Sequence, residues 1–201
     1  MKISKSHLLD GKTISITGSK SISNRLLILG KLFGDLKIEN LSNSQDTQLL
    51  QKALNEDAET VDIHHAGTAM RFLTSFYAIQ EGRKTILTGS ERMKQRPIKP
   101  LVDALRELGA EINYLENEGF PPLEIHGKRI EKNFVKIPAN ISSQFITSLL
   151  LIGASLENGL EIELKGEITS RSYIKMTLKI LKDIGIESRF ERNSIKILSS
   201  E

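Results

Sequence analysis

No cysteine occurs anywhere in the chain, which excludes disulfides, thiolate nucleophiles and cysteine-held metals and fits a reducing compartment. Tryptophan is absent too, and aromatic residues make up only 5% of the 201 positions. The core must therefore be aliphatic, and the stacking platforms used by single-stranded nucleic-acid binders are lacking. Neither sign of charge dominates: 28 Lys+Arg stand against 25 Asp+Glu, and the resulting +3 is too small to demand a polyanionic partner. The longest apolar run, around Leu149 to Ile152, cannot span a membrane. The polar start, Met1 to Asp10, lacks the apolar stretch of a secretory signal. A cytoplasmic protein is expected, with neither nucleic acid nor membrane as partner.

What is present is the composition of an ordinary globular protein, 39% hydrophobic and 26% charged, long enough to bury a sizeable core. One stretch stands out. Thr17-Gly18-Ser19-Lys20-Ser21-Ile22-Ser23-Asn24-Arg25 gathers a glycine, hydroxyls and two cations where an apolar helical pattern (Ile22, Leu26, Leu29, Phe33) begins. A helix start carries about half a positive charge and unpaired N–H groups, so Lys20 and Arg25 there favour a bound anion. A capped surface helix with solvated cations is the plain alternative. A nucleotide-binding P-loop is excluded, because Ser19 and Ile14 occupy its two glycine positions. His64 and His65 do not form a metal pair with any evident third ligand, and no metal is expected.

Read in order, residues 1–12 form an arm with a short strand at Lys2 to Ser4. A strand at Lys12–Thr17, a helix to about Phe33, a strand at Leu36–Glu39 and a helix from Thr47 to about Asn55 follow. The order then returns twice. The second copy has a helix from Ala66 through Ile79, the strand Lys84–Thr88, a helix opened by Pro97 and stopped at Gly109, and strands Glu111–Leu115 and Leu123–His126. The third has the strand Val135–Ile137, an apolar helix after Ser142-Ser143-Gln144, the strand Leu160–Lys165, a helix from about Ser172 to Ile184, and strands at Ile186–Phe190 and Ser194–Leu198. Residues 13–201 thus read as one α/β domain of three strand-helix-strand-helix-strand-strand units, at about 13–63, 64–133 and 134–201, the first shortened at its end. The helix Phe145 to Ile152 is apolar nearly all round, so helices are expected inside and sheets outside. If the units are equivalent, their helix starts converge and bring Lys20, Ser21 and Arg25, then Gly67, Thr68, Arg71, Arg92, Lys94, Arg96 and Lys99, then Ser142, Ser143, Gln144, Ser170, Arg171, Tyr173 and Lys175 to one side.

Gly18 to Arg25, Ala66-Gly67-Thr68-Ala69-Met70-Arg71, Arg92-Met93-Lys94-Gln95-Arg96-Pro97-Ile98 and Ser142-Ser143-Gln144-Phe145 together resemble the signatures of the 5-enolpyruvylshikimate-3-phosphate (EPSP) synthase family. The resemblance implies the enolpyruvyl transferase fold, an inside-out α/β barrel, and transfer of a carboxyvinyl group from phosphoenolpyruvate to the 5-hydroxyl of shikimate 3-phosphate. It implies that Lys20, Ser21, Arg25, Ser142, Ser143, Gln144, Ser170 and Tyr173 hold shikimate 3-phosphate. Lys20, Gly67, Arg96 and Gln144 would face phosphoenolpyruvate, with Lys20 the one catalytic candidate and no cofactor or metal. The family enzyme also has a second, C-terminal domain. On this reading the chain is the N-terminal half, a monomer whose arm would pair with that domain, able to bind substrate and unable to turn it over. Half of a UDP-N-acetylglucosamine enolpyruvyl transferase and a free-standing anion-binding module are the alternatives. The pattern departs at Thr17, His65, Phe72 and Ser172; Phe72 bears on how phosphonate inhibitors compete.

Overall fold

The structure, a computed structural model, describes residues 10–34 and 36–199. Its helices are α1 (Lys20–Phe33), α2 (Gln45–Asn55), α3 (Gly67–Ala78), α4 (Glu91–Lys94), α5 (Lys99–Leu108), α6 (Ser143–Gly153) and α7 (Arg171–Asp183). The strands are β1 (Thr60–Asp62), β2 (Lys84–Thr88), β3 (Glu111–Tyr114), β4 (Leu123–His126), β5 (Phe134–Pro138), β6 (Leu160–Lys165), β7 (Ser188–Glu191) and β8 (Ser194–Ile197). They build two sheets of the same topology, β1-β2-β4-β3 and β5-β6-β8-β7. In each, the first two strands run parallel around a crossover helix, and an antiparallel hairpin completes the sheet.

Period-two patterning gives each sheet one apolar face. Leu160, Ile162 and Leu164 of β6 are buried while Glu161 and Glu163 are only half covered, and the register sets Ile162 beside Val135 and Ile195. The helices lie within. Every residue of α3 is buried, as is every residue of α6 from Phe145 onward, and the two helices meet through Ser75 and Ser148, whose hydroxyls lie 2.6 Å apart. A helix covered on all sides has no need of a polar face, which explains the run Phe145 to Ile152. The outer helix α5 is instead strongly amphipathic, burying Leu101, Leu105 and Leu108. It ends at Gly109, whose left-handed φ of 111° only glycine adopts without strain.

The first unit departs from the sequence reading. Lys12–Thr17 forms no strand: it has no ladder partner among the described residues, and Ile14 and Ile16 are 81% and 80% exposed. Leu36–Glu39 does alternate inward and outward, Leu36 lying across Gly30, yet it too forms no ladder with any of the described residues. The physical reason is the short connection: β1 begins four residues after the Glu56 cap of α2, leaving no chain for the hairpin that follows α5 and α7. Three further differences are small. Thr60–Asp62 pairs with β2, so the second sheet starts before residue 64. Pro100 rather than Pro97 occupies the first turn of α5, and Ser90 caps the unforeseen α4. The expected strand Lys2–Ser4 lies outside the described residues.

Candidate functional site

Gly18 sets the entry to α1. A Cβ there would overlap the Asn40 carbonyl oxygen, so only glycine lets the two loops approach this closely. Ser23 Oγ then accepts the Ser42 N–H at 3.0 Å, and the fully buried Asn24 donates to Asp46 at 2.6 Å while accepting from Thr47 at 2.7 Å. These bonds lock α1 to α2. Arg25 follows and is directed into the helix cluster, 4% exposed.

Around it lies a pocket of about 270 Å³ lined by Lys20, Ser21, Arg25, Thr68, Phe72, Ser142, Ser143, Gln144 and Tyr173. Four helices contribute. Lys20 and Ser21 come from the first turn of α1, Thr68 and Phe72 from α3, Ser143 and Gln144 from the first turn of α6, and Tyr173 from α7. None of these helices has an acidic residue in its first turn, whereas α2 and α4, away from the pocket, carry Asp46 and Glu91 there. The positive helix ends are therefore left for a ligand to neutralise.

Arg25 donates Nε–H to Thr177 Oγ1 at 2.8 Å, Nη1–H to the Ser21 carbonyl at 2.7 Å and Nη2–H to Thr147 Oγ1 at 3.2 Å. Its guanidinium lies 5.7 Å from the Phe72 ring centre. All these partners are neutral, and among the described residues no carboxylate forms an ion pair with it. Burial, opposed in part by Tyr173, pulls its pKa down to about 10, so it remains charged at neutral pH. A buried cation without a counter-ion is costly, and an anion in the pocket relieves that cost.

The remaining expected residues sit beside this centre. Ser142 caps α6, accepting the Gln144 N–H at 3.3 Å, and its own O–H stays available to a ligand. Gln144 Nε2 donates to Thr68 Oγ1 at 3.4 Å. The exposed Arg96 guanidinium rests on Gly67 where a Cβ would overlap it. Ser170 is the N-cap residue of α7, outside the pocket lining.

Other cations named from the sequence have different duties. Arg71, 4% exposed, donates to the carbonyls of Gly67 at 3.1 Å and Pro97 at 2.9 Å, bracing the Arg96 turn against α3. Burial, and next Arg96, lower its pKa to about 10. Lys94 pairs with Glu91 and Glu116, and Lys99 with Asp103 and Glu118. Each of these two lysines has one carboxylate within a helical turn, Glu91 or Asp103, and one on a distant segment, Glu116 or Glu118, and only the second kind of neighbour was hidden from the sequence. Thr147 and Thr177 were not marked as site-forming, their only signal being a place on the inward face of a helix, and Phe72 was marked only as a departure from the family pattern. His64 and His65 are exposed, their rings 5.0 Å apart edge to face. A larger groove, about 660 Å³, lies at the other end of α7 against β7, lined by Leu178, Lys182, Ile186, Arg189 and Phe190 among others. It touches none of the converging helix starts.

Residues 50–200 match the family model of EPSP synthase (3-phosphoshikimate 1-carboxyvinyltransferase). The 3-phosphoshikimate 1-carboxyvinyltransferase of Bacteroides fragilis is 54% identical over 174 residues, covering 86% of this chain and 42% of that protein. That of Haemophilus influenzae is 42% identical over 204 residues, covering 87% and 47%. A solved EPSP synthase from Acinetobacter baumannii shares the fold, with a TM-score of 0.75 at 19% identity over 94% of this chain and 47% of that one. The chain thus spans a little under half the length of the curated relatives it matches.

Proposed function

We propose, because this chain belongs to the EPSP synthase (3-phosphoshikimate 1-carboxyvinyltransferase) family, that its pocket holds shikimate 3-phosphate and that the chain serves the shikimate pathway. The observation that carries this reading is Arg25: a buried, charged guanidinium without a carboxylate among the described residues, at a pocket ringed by helix starts free of acids. Lys20, Ser21, Arg25, Ser142, Ser143, Gln144 and Tyr173, with Ser170 nearby, offer cations, hydroxyls and an amide to a ring that carries a phosphate, a carboxylate and hydroxyls. Phosphoenolpyruvate takes the neighbouring place against Lys20, Gly67, Arg96 and Gln144. There the bare Gly67 lets the ligand reach the backbone and Arg96 can grip an oxygen pair.

The reaction joins the 5-hydroxyl of shikimate 3-phosphate to C2 of phosphoenolpyruvate and expels phosphate from a tetrahedral intermediate. Lys20, exposed at the α1 start, stabilises the negative charge that develops there. The further acids and bases that move protons at the hydroxyl and the enol carbon belong to a second domain that closes over the pocket. This chain alone binds shikimate 3-phosphate in the cytoplasm as a monomer and does not turn it over. Among the described residues no helix is long and apolar enough to cross a membrane.

Calorimetric titration of the chain with shikimate 3-phosphate tests this reading. Saturable binding that weakens with added salt is expected, and no heat at millimolar ligand would sink it. Phosphate release on mixing with both substrates would refute the claim of inactivity. Gly67→Ala offers a finer check. Arg96 is an exposed, flexible side chain that can swing away from a new methyl, so stability should stay within about 1 kcal/mol. Affinity for phosphoenolpyruvate, measured with shikimate 3-phosphate present, should nevertheless fall about tenfold as one charged contact is displaced. Unchanged affinity would remove Gly67 and Arg96 from that subsite.

A further inference from the structure

We infer that Thr177, with Thr147 beside it, is the positioning residue that aims Arg25 at the bound anion, an inference that rests on the reading of the pocket given above. A guanidinium has five N–H donors in a rigid fork. Thr177 takes the Nε–H, and the Ser21 carbonyl and Thr147 each take one from a terminal nitrogen. Among the described residues one N–H therefore remains on Nη1 and one on Nη2, and Arg25 lines the pocket. Such a pair matches the two oxygens of a carboxylate or of a phosphate edge.

Thr177 can hold this orientation because it is itself held. It is 0% exposed, and its hydroxyl donates to the Tyr173 carbonyl at 2.9 Å, one turn back along α7. That bond fixes the oxygen lone pairs toward Arg25 and ties the guanidinium to the helix turn that carries the pocket residue Tyr173. Thr147 Oγ1 lies 3.4 Å from Thr177 Oγ1, so the two hydroxyls form one cradle from α6 and α7. Phe72 lies against the guanidinium from α3.

The chemistry of the cradle explains its composition. A carboxylate at either position would orient Arg25 equally well but neutralise it, and the ligand would then compete with an internal anion. Two hydroxyls and a backbone carbonyl orient the cation and leave its charge for the ligand.

Thr177→Val keeps the shape and removes the acceptor; Thr177→Ser restores it. In calorimetric titration with shikimate 3-phosphate, T177V should bind about tenfold or more weakly, as expected for a lost hydrogen bond to a charged group, with T177S within about threefold of the parent. T177V binding as tightly as the parent, or T177S binding as weakly as T177V, would overturn the inference. The Arg25 Nε–H resonance supplies a readout that needs no ligand. It should exchange slowly with water at pH 7 in the parent and T177S and much faster in T177V, and unchanged exchange would refute the role. If the parent fails to bind shikimate 3-phosphate, the reading of the pocket fails, while this resonance still decides what Thr177 does. Should T177V not fold, Thr147→Val frees Nη2 instead: weaker binding than the parent supports the cradle, and equal binding counts against it.

Discussion

Arg25→Met should abolish most of the affinity for shikimate 3-phosphate while leaving the protein folded. The loss expected on removing one partner of a buried charge pair is about a hundredfold or more. Folding should be little affected, because methionine fills much of the same space and removes a desolvated cation that has no counter-ion among the described residues. The bonds lost are to Thr147, Thr177 and the Ser21 carbonyl, and Thr177 keeps its bond to Tyr173. Thermal unfolding and calorimetry on the same sample separate the two effects. A variant that unfolds early yet binds normally would show Arg25 to be a structural residue. The pH dependence follows from the sign of its shift. Its pKa is lowered to about 10, still far above neutrality, so the Arg25 contribution to anion binding should be constant from pH 7 to about 8.5 and fade as pH rises through about 10.

Leu149→Ala should cost the most stability of the single truncations considered. Leu149 is 0% exposed in the middle of α6, a helix buried from Phe145 to Gly153. A leucine truncated where the surroundings cannot collapse costs about 3–5 kcal/mol, and for a chain of this size that corresponds to roughly 10 °C in thermal midpoint. Chemical denaturation gives the free energy directly. A loss under about 1 kcal/mol would mean that α6 is not the packed centre of the fold.

The two residues illustrate what the sequence could disclose. The central place of α6 was legible because an all-round apolar helix has only one stable environment, the interior. Seven of the eight strands of the two sheets were legible for a similar reason, since they alternate and glycines mark their turns; the three-residue β1, Thr60–Asp62, was too short to show a pattern. The first unit misled because alternation reports which way side chains face and is silent about pairing. Leu36 and Ile38 do face inward, yet a strand requires a neighbour, and the short link from α2 to β1 leaves none among the described residues.

The site was partly legible. Helix starts rich in hydroxyls and cations pointed to an anion, and the fold brings Lys20, Ser21, Arg25, Thr68, Ser142, Ser143, Gln144 and Tyr173 into one pocket, while Gly67, Arg71, Ser170 and the cations from Arg92 to Lys99 lie outside its lining. What the sequence could not rank was the cations. Lys94 and Lys99 have a carboxylate one helical turn away, but Arg71 and Arg25 look alike in one dimension; only the fold shows that the first is spent on carbonyls and the second is held by hydroxyls at a pocket. Thr177 lies 152 positions from Arg25, a separation across which no local pattern carries information.

Amide chemical-shift mapping with shikimate 3-phosphate tests most directly whether these helix starts form the binding site. The account predicts saturable shifts clustered at Lys20, Ser21, Thr68, Ser143, Gln144 and Tyr173, the backbone positions that surround Arg25. Shifts centred on the groove between α7 and β7, around Lys182 and Arg189, or no shifts at millimolar ligand, would contradict it.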